Sequence, residues 1–378
     1  MIYLDHAAAT PVSDKVLEAM KPYFGAEFFN PSAAYLPAKK VSADYDKAKG
    51  VIAHAIGAKT SDIVITAGAT EANNLAFTAI SLDGSMLYLE TEHDSVRRAA
   101  ESYGGKAIRV LPTGLIDLDD LRNKITDETE LISVSLANNE LGTIQPLAEI
   151  AGIIRDVKFD RLKRGVKRQL LLHSDASQAL NLLDISVARL GVDLLTLNAA
   201  KVYGPKGVGA LYVAHGVRLK PLTVGGGQEN GLRSGTENVP GVIGFAKAVE
   251  LAKEHLNGNR KKYANWRKLL LSELKDYELV NKKHSLDNFV VVMFEGLDAE
   301  RLIYLLEEKE VYVSTGAACA ASKGKKSHVL KAIGLTDAQI AGSLRLTLGE
   351  TNTEEQIKEA ARIINEMIKA ERKRISLE

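Results

Sequence analysis

Seven short apolar runs recur along the first part of the chain, separated by segments with a more polar, helical pattern. They are "DIVITA" at 62–67, "SMLYLE" at 85–90, "KAIRVLP" at 106–112, "LISVSLAN" at 131–138, "QLLLHSDA" at 169–176, "LLTLNAA" at 194–200 and "GALYV" at 209–213. Several are apolar at nearly every position, which is typical of strands covered on both faces, and the intervening segments suit crossover helices. The pattern predicts an α/β fold with a largely parallel sheet.

The pattern changes after about residue 250. The polar stretch "NGNRKKYANW" leads to three further apolar runs, "FVVVMF" at 289–294, "VYVST" at 311–315 and "SLRLTLG" at 343–349. These runs predict a smaller α+β domain. Near the end of the chain, Thr353 and Gln356 form a capping-box pattern, and the apolar positions that follow share one helical face, so a final helix is expected. Those positions are Ile357, Ala361, Ile364 and Ile368.

Charge and composition exclude several classes of function. The 49 Lys and Arg nearly balance the 48 Asp and Glu, giving a formal net charge of +1, so direct nucleic-acid binding is not predicted. The N-terminus has no basic segment followed by an apolar one, and no run approaches the length of a membrane span. We therefore expect a soluble, cytoplasmic protein. The single cysteine, Cys319, excludes an intrachain disulfide and a cysteine-rich zinc site, and no metal site is predicted.

A candidate phosphate-binding turn lies in "VITAGATEANN". Here a predicted strand leads through Gly68 into a helix that is expected to begin near Thr70 and Glu71. The free N–H groups and the dipole of a helix start favour bound phosphate, and a threonine hydroxyl adds a further donor. Taken alone, the segment is better explained as an ordinary turn and helix cap.

Two polar residues follow predicted buried strands. Asp175 ends one strand, at the edge of an open α/β sheet where ligands gather, although a single aspartate there often only caps a helix. Lys201 follows another strand, where an amine is costly unless it is paired, reaches solvent or forms an imine. With the phosphate-type turn, these residues form the set that pyridoxal 5'-phosphate (PLP) uses: an amine for its aldehyde, a carboxylate for its ring nitrogen and a helix start for its phosphate.

Nine motifs occur in the order and approximate spacing seen in cysteine desulfurases, a branch of the class V aminotransferases. They are "YLDHAAATP", "GATEANNLA", "TEHDSV", "NNELGTIQP", "DASQAL", "KVYGPKGVGALYV", "GGGQENGLRSGTEN", the cysteine loop "STGAACAASKGKK" and "SLRLTLG". The chain resembles this family over essentially its whole length. The resemblance implies the fold type I of PLP-dependent transferases, with a mainly parallel seven-stranded sheet. We expect a large PLP-binding domain at 15–255 and a small domain, made of 1–14 and 256–378, that carries the cysteine loop.

The resemblance also implies roles for individual residues. Lys201 would be the Schiff-base lysine, Asp175 the partner of the ring nitrogen, and His93 the imidazole that stacks on the ring and serves as acid and base. Arg345, with Asn30, would hold the substrate carboxylate. Further expected contacts are Gln178 and Asn139 at the ring hydroxyl, with Asn139 also near the substrate, Ala69 and Thr70 at the phosphate, and Thr236 at the phosphate of a second subunit's cofactor. The last contact implies a homodimer.

Cys319 lies among small residues and is followed by three lysines, Lys323, Lys325 and Lys326. Small neighbours leave a thiol accessible, and nearby positive charge favours the thiolate. We expect Cys319 to take the sulfur of L-cysteine as a persulfide, leaving alanine, with Lys201 as the base for the α-proton. The loop resembles that of the long-loop branch, in which the persulfide passes to acceptor proteins such as an iron–sulfur scaffold or a tRNA-thiolation relay. A structural cysteine is the alternative.

Departures from the family pattern keep other functions open. Asn198, Ala199 and Ala200 stand where the family usually has Ser-x-His before the lysine, Phe29 replaces a usual glycine, and Glu350 replaces a frequent arginine. These exchanges make a slow or specialised enzyme plausible. The alternatives are a selenocysteine lyase or another class V enzyme, such as a sulfinate desulfinase or a true aminotransferase, and a weakly active sulfur-assembly scaffold.

Overall fold

The computed structural model of the protein describes residues 1–315 and 326–376. Its largest sheet contains the seven predicted strands, which we number β2 to β8 because β1 (Ile2–Tyr3) precedes them. They are β2 (Ile63–Thr66), β3 (Ser85–Leu89), β4 (Lys106–Ile108), β5 (Thr129–Ser133), β6 (Leu171–Asp175), β7 (Leu194–Asn198) and β8 (Gly209–Val213). Their order across the sheet is β2-β8-β7-β6-β5-β3-β4.

The direction of the strands determines where the polar residues meet. Strands β7, β6, β5, β3 and β4 are parallel to one another, and β8 pairs antiparallel with both β7 and β2. All strands except β8 therefore run in the same direction. Because their carboxyl ends lie at one edge of the sheet, the residues that follow each strand gather there. The predicted mainly parallel seven-stranded sheet is confirmed.

The helices cover the sheet and connect its strands. Those of the first two thirds of the chain are α1 (Asp14–Met20), α2 (Leu36–Ala55), α3 (Ala69–Phe77), α4 (Asp94–Ser102), α5 (Leu118–Lys124), α6 (Leu147–Lys163) and α7 (Val187–Leu190). Two apolar clusters flank the sheet, and strands β3 and β5 contribute side chains to both because alternate residues point to opposite faces. This burial on both faces explains why the strands are apolar at nearly every position.

The later part of the chain forms two smaller sheets. Strands β9 (Glu278–Leu279), β10 (Phe289–Met293) and β12 (Ser343–Thr347) are antiparallel, in the order β12-β10-β9. Strand β11 (Val311–Tyr312) pairs in parallel with β1. The N-terminal residues therefore pack with the later elements, while the assignment of 1–14 to a small domain stays a prediction.

The helices of this part are α8 (Val239–Glu273), α9 (Ala299–Glu307), α10 (His328–Ala332), α11 (Asp337–Ala341) and α12 (Glu354–Ile375). Helix α8 is continuous over 35 residues, so the predicted domain boundary at 255/256 falls inside it. Helix α12 begins with the expected capping box of Thr353 and Gln356, and its four predicted apolar positions are buried. Within the described residues, no helix combines the length and apolar character that crossing a lipid bilayer requires.

Candidate active site

A cavity of about 880 Å³ opens at the carboxyl edge of the large sheet. Residues that follow β2, β3, β5, β6 and β7 line it, together with residues of the N-terminal segment and of β12. Eight of the eleven predicted site residues are among them: Ala69, Thr70, His93, Asn139, Asp175, Gln178, Lys201 and Arg345. The strand directions thus bring together residues that are far apart in the sequence.

Asp175 is the last residue of β6 and is almost fully buried. One carboxylate oxygen accepts a hydrogen bond from the side-chain amide of Asn73 at 2.9 Å, and the other accepts one from the backbone N–H of Ser177 at 2.9 Å. Hydrogen bonds to a carboxylate favour its charged form. The two contacts therefore hold the carboxylate in a fixed position at the end of β6.

Lys201 lies at the end of a 3₁₀ turn, Ala199–Lys201, that directly follows β7. The side chain of Asn198 caps this turn by accepting a hydrogen bond from the N–H of Ala200 at 3.2 Å. The amine of Lys201 donates to the carbonyl oxygens of Ala7 at 2.8 Å and Ala8 at 2.5 Å. The asparagine that departs from the family pattern thus shapes the turn that presents the lysine.

The N-terminal segment also contacts a second predicted residue. The side-chain amide of Gln178 donates to the carbonyl oxygen of Ala7 at 3.0 Å, the same oxygen that accepts from Lys201. The residue lies just after β6 and is buried to nearly the same extent as Asp175. The backbone carbonyl of Ala7 therefore binds the side chains of both Lys201 and Gln178 at the same side of the cavity.

The candidate phosphate end is the start of helix α3, which begins at Ala69, one residue before the predicted start. Its cap, Gly68, has a φ of +143°, a region that glycine adopts without strain. A Cβ at Gly209 on β8 would lie 2.8 Å from the Gly68 backbone, so this close approach requires glycine at residue 209. The N–H groups of the first helical turn lack partners within a helix and are suited to an anion.

One acidic residue lies in that first turn. Glu71 lines the cavity, but its carboxylate accepts from the Arg233 guanidinium at 3.0 Å and from the N–H of Ala67 at 2.6 Å. This pairing offsets the negative charge that would otherwise oppose a phosphate. Lys206 adds a positive charge to the same cavity wall.

His93 caps the start of α4. Its Nδ1 accepts the N–H of Ser95 at 3.1 Å, and because a backbone N–H can only donate, the neutral ring carries its hydrogen on Nε2. Although the ring is open to the cavity, protein surrounds it on most sides, and this burial lowers the pKa of His93; the Lys201 charge acts in the same direction. Asp175 opposes the shift. A neutral imidazole with a hydrogen on Nε2 is therefore the prevailing form at neutral pH.

Arg345 lies in the middle of β12 and is buried, with its guanidinium at the cavity. It donates to the carbonyl oxygen of Asn139 at 2.8 Å and forms an ion pair with Asp5 at 2.5 Å. The paired residues come from opposite ends of the chain. Their contact places a fixed guanidinium beside the cavity, which suits a carboxylate ligand.

Two predicted site residues of the described part of the chain, Asn30 and Thr236, do not line the cavity. Asn30 is exposed, and its side chain accepts the N–H of Ser32 at 2.9 Å. Thr236 is exposed and does not line the cavity of its own chain; the role expected for it is in a second subunit. Cys319 lies outside the described residues, so its placement stays a prediction.

Sequence reasoning missed several titratable residues of the cavity, among them Glu92, Glu140 and His328. Burial raises the pKa of the Glu92 carboxyl well above its usual value, and the Asp175 charge adds to the shift. Burial also raises the pKa of Glu140, whose carboxylate accepts the Ser327 hydroxyl at 2.5 Å. The Nε2 of His328 donates to the carbonyl oxygen of Glu92 at 2.9 Å.

A sequence signal existed for each missed residue, because Glu92 and Glu140 lie inside the motifs "TEHDSV" and "NNELGTIQP", and His328 directly follows the cysteine segment. Their burial beside the cavity depends on tertiary packing and could not be inferred from the motifs. The raised pKa of Glu92 favours its neutral form.

Comparisons with known proteins identify the family of the chain. The family model described as aminotransferase class-V matches residues 2–359. The cysteine desulfurase IscS of Methanosarcina thermophila is 38% identical over 381 residues, covering 97% of this chain and 92% of that protein. A solved structure described as a NifS-like protein superposes with a TM-score of 0.90 at 32% identity, over 98% of this chain and 99% of that chain.

A second solved structure, SspA in complex with cysteine, has a TM-score of 0.80 at 34% identity and covers 92% of this chain and 99% of that chain. The family model and the relative both extend over nearly the whole sequence, so the similarity is not confined to one motif or one part of the fold. The chain belongs to the cysteine desulfurases of the class-V aminotransferase family.

Proposed function

We propose that the protein converts L-cysteine to L-alanine with PLP as cofactor and transfers the sulfur to Cys319 as a persulfide. The observation that carries this proposal is the meeting of Lys201 and Asp175 at one cavity, on neighbouring parallel strands and opposite the start of helix α3. Each of these groups has an ordinary structural explanation, but a common cavity of suitable size favours the shared function.

The polar groups of the cavity fit PLP. Lys201 provides the amine for attachment, Asp175 the carboxylate for the ring nitrogen, and the start of α3 with Thr70 the donors for the phosphate. Gln178 and Asn139 lie at the cavity wall as candidate contacts for the ring hydroxyl, and Ala69 supplies a backbone N–H. When bound, PLP accepts the electron pair that is released at the α-carbon of an amino acid.

Arg345 is the candidate group for the substrate carboxylate. A guanidinium matches a carboxylate with two parallel hydrogen bonds, and the buried position of Arg345 strengthens such a pair. Asn139, whose carbonyl contacts the guanidinium, lies next to the same end of the cavity. The relative SspA was solved with cysteine, which supports cysteine as the substrate class.

Two groups of the cavity can move protons. The amine of Lys201 takes the α-proton of the substrate. The amine can then return to its two carbonyl contacts, Ala7 and Ala8, which lie on the cavity wall. His93 stays neutral because of its burial and offers the Nε2 hydrogen to a leaving or developing anion.

The sulfur step belongs to Cys319. Its thiolate forms an S–S bond with the substrate sulfur while the carbon–sulfur bond breaks, and the electron pair stays on the carbon that becomes the methyl group of alanine after protonation. The protein then carries a persulfide for a sulfur acceptor, such as an iron–sulfur scaffold protein or a tRNA-thiolation relay. A cytoplasmic homodimer, in which Thr236 reaches the partner's cofactor phosphate, completes the proposal.

The attachment of PLP to Lys201 can be tested directly. Purified protein loaded with PLP should absorb near the band of a lysine-bound cofactor, and reduction with borohydride should leave the cofactor on the peptide that contains Lys201. Lys201→Arg keeps the charge and the carbonyl contacts but cannot attach the aldehyde, so it should lose both signals. Cofactor trapped on another lysine, or an unchanged band in Lys201→Arg, would show that the assignment is wrong.

A further inference from the structure

An ion pair connects the N-terminal segment to the cavity. The carboxylate of Asp5 lies 2.5 Å from Nη2 of Arg345, and the side chains are only 16% and 4% exposed. On the same guanidinium, Nη1 donates to the carbonyl oxygen of Asn139 at 2.8 Å. A planar guanidinium whose two terminal nitrogens are both engaged has a defined plane as well as a defined position.

Asp5 approaches the guanidinium from outside the cavity. Among the described residues that line the cavity, Arg345 is present and Asp5 is not. The carboxylate of Asp5 therefore does not lie where a ligand carboxylate would lie. Asp5 thus contacts Arg345 without lining the cavity, which suits a support for the guanidinium rather than a competitor for the ligand.

The backbone fixes Asp5 in this place. Asp5 forms a parallel bridge with Thr347, two residues after Arg345 on β12. Its carbonyl oxygen accepts the Tyr3 hydroxyl at 2.8 Å and the N–H of Ala8 at 3.0 Å. These contacts fix the carboxylate relative to the strand that carries its partner.

We propose that Asp5 is a positioning residue that sets the orientation of Arg345 for the carboxylate of the substrate and so determines the preference for α-amino acids over simple amines. The proposal rests on the proposed role of Arg345. A bidentate pair requires the guanidinium and the carboxylate to share a plane, so the loss of the Asp5 carboxylate should weaken carboxylate binding without affecting an amine that lacks this group.

The test compares two ligands that differ only in the carboxylate. The dissociation constants of L-alanine and of ethylamine are measured from the cofactor absorbance of the PLP-loaded protein, and KM and kcat are measured with L-cysteine. In Asp5→Asn we expect the KM for L-cysteine and the dissociation constant of L-alanine to rise about tenfold, which corresponds to about 1.4 kcal/mol. The dissociation constant of ethylamine and kcat should change by less than about twofold.

Three further variants separate this inference from the proposed function. Arg345→Gln should abolish the preference for L-alanine over ethylamine. Asp184→Asn is the matched control, because Asp184 forms an exposed ion pair with Arg189 at 2.5 Å and does not line the cavity; it should leave both ligands unaffected. Asp5→Glu keeps the charge of the buried pair and provides folded protein if Asp5→Asn does not, with the same loss of preference expected because the carboxylate is displaced by one methylene group.

The possible outcomes are distinct. A loss of preference in the Arg345 and Asp5 variants supports the inference. A loss in Arg345→Gln alone would show that Asp5 has no positioning role, while the role of Arg345 stands. An unchanged preference in both would contradict the role of Arg345 itself. If the Asp5 variants bound L-alanine and ethylamine more weakly by the same factor, Asp5 would act only on the fold.

Discussion

At the scale of single residues, the least expected feature is a fully buried histidine behind the candidate site. His173 lies on β6, two residues before Asp175, with its ring nitrogens 2.8 Å from the Ser133 hydroxyl and 3.1 Å from the Thr196 hydroxyl. Burial lowers the pKa of His173 to about 4, although the Asp175 charge opposes the shift. The ring is therefore neutral in the folded protein and links three adjacent strands.

This shift has a consequence for stability. Between pH 6.5 and about 4 the unfolded chain binds a proton at His173 that the folded chain does not, so the free energy of unfolding falls as the pH falls through this range. The full contribution is roughly 3 kcal/mol. Denaturant unfolding at a series of pH values measures this effect. As the pH falls, the free energy of unfolding should decrease less in His173→Gln than in the natural protein. If the free energy of unfolding depended on pH in the same way in both proteins, a neutral, buried His173 would be contradicted.

The roles of single residues could be predicted where the residue ends a strand or directly follows one. Asp175 and Lys201 were predicted because each ends or follows an apolar run, and both line the cavity. Asn198 was interpreted only as a departure from the family pattern, and the sequence analysis did not predict that its side chain caps the turn that carries Lys201. The capping contact depends on the geometry of that turn, which the apolar pattern does not contain.

At the scale of elements, the glycine-rich segment that leads to Thr236 is fixed by a buried ion pair. The carboxylate of Glu229 accepts hydrogen bonds from the Tyr45 hydroxyl at 2.5 Å, the Lys49 amine at 2.8 Å and the N–H of Ile65 at 2.8 Å. The side chain of Glu229 is only 5% exposed and that of Lys49 only 10%. Glu229 also has a φ of +49°, an unfavourable conformation for this residue that the three contacts maintain.

Breaking this pair should therefore destabilise the fold. Glu229→Gln leaves the Lys49 charge buried without its counterion, and we expect a loss of roughly 3 kcal/mol in the free energy of unfolding. Lys49→Met in the same chain should recover part of this loss, because it removes the buried charge. Denaturant unfolding of the single and double variants measures both effects.

An exposed pair provides the control for this experiment. Glu250 pairs with Lys247 at 3.1 Å on the surface of α8, and Glu250→Gln should change the free energy of unfolding by less than about 1 kcal/mol. A double variant no more stable than Glu229→Gln would contradict the claim that the uncompensated Lys49 charge causes the loss.

Most elements were predictable because their local pattern and their burial agree. All seven predicted strands are present in the large sheet, and helix α12 starts at the predicted capping box. Helix α3 begins at Ala69, directly after Gly68 and next to the expected start near Thr70. The continuity of α8 through the polar stretch was not evident from its sequence, since this helix is maintained by packing against α1, α2 and α12.

At the scale of the whole molecule, the site is an arrangement of distant segments. The N-terminal segment contacts Lys201, Gln178 and Arg345. In the last of these contacts, Asp5 and Arg345 are 340 residues apart in the sequence. Such contacts are not encoded in any local pattern, so Asp5, Glu92 and His328 escaped the sequence analysis although they lie in or near recognisable motifs. The family resemblance supplied the roles of the residues, and the fold explains why these residues meet.

The central claim is that this cavity removes sulfur from L-cysteine and passes it to Cys319. The most direct measurement is to incubate the PLP-loaded protein with L-cysteine without an acceptor or reductant, and then to quantify L-alanine and the mass of the peptide that contains Cys319. We predict alanine in amounts stoichiometric with the chain and the mass of one additional sulfur atom on that peptide, both absent in Cys319→Ser. Alanine formation that is unchanged in Cys319→Ser, or no alanine from the natural protein, would contradict the account.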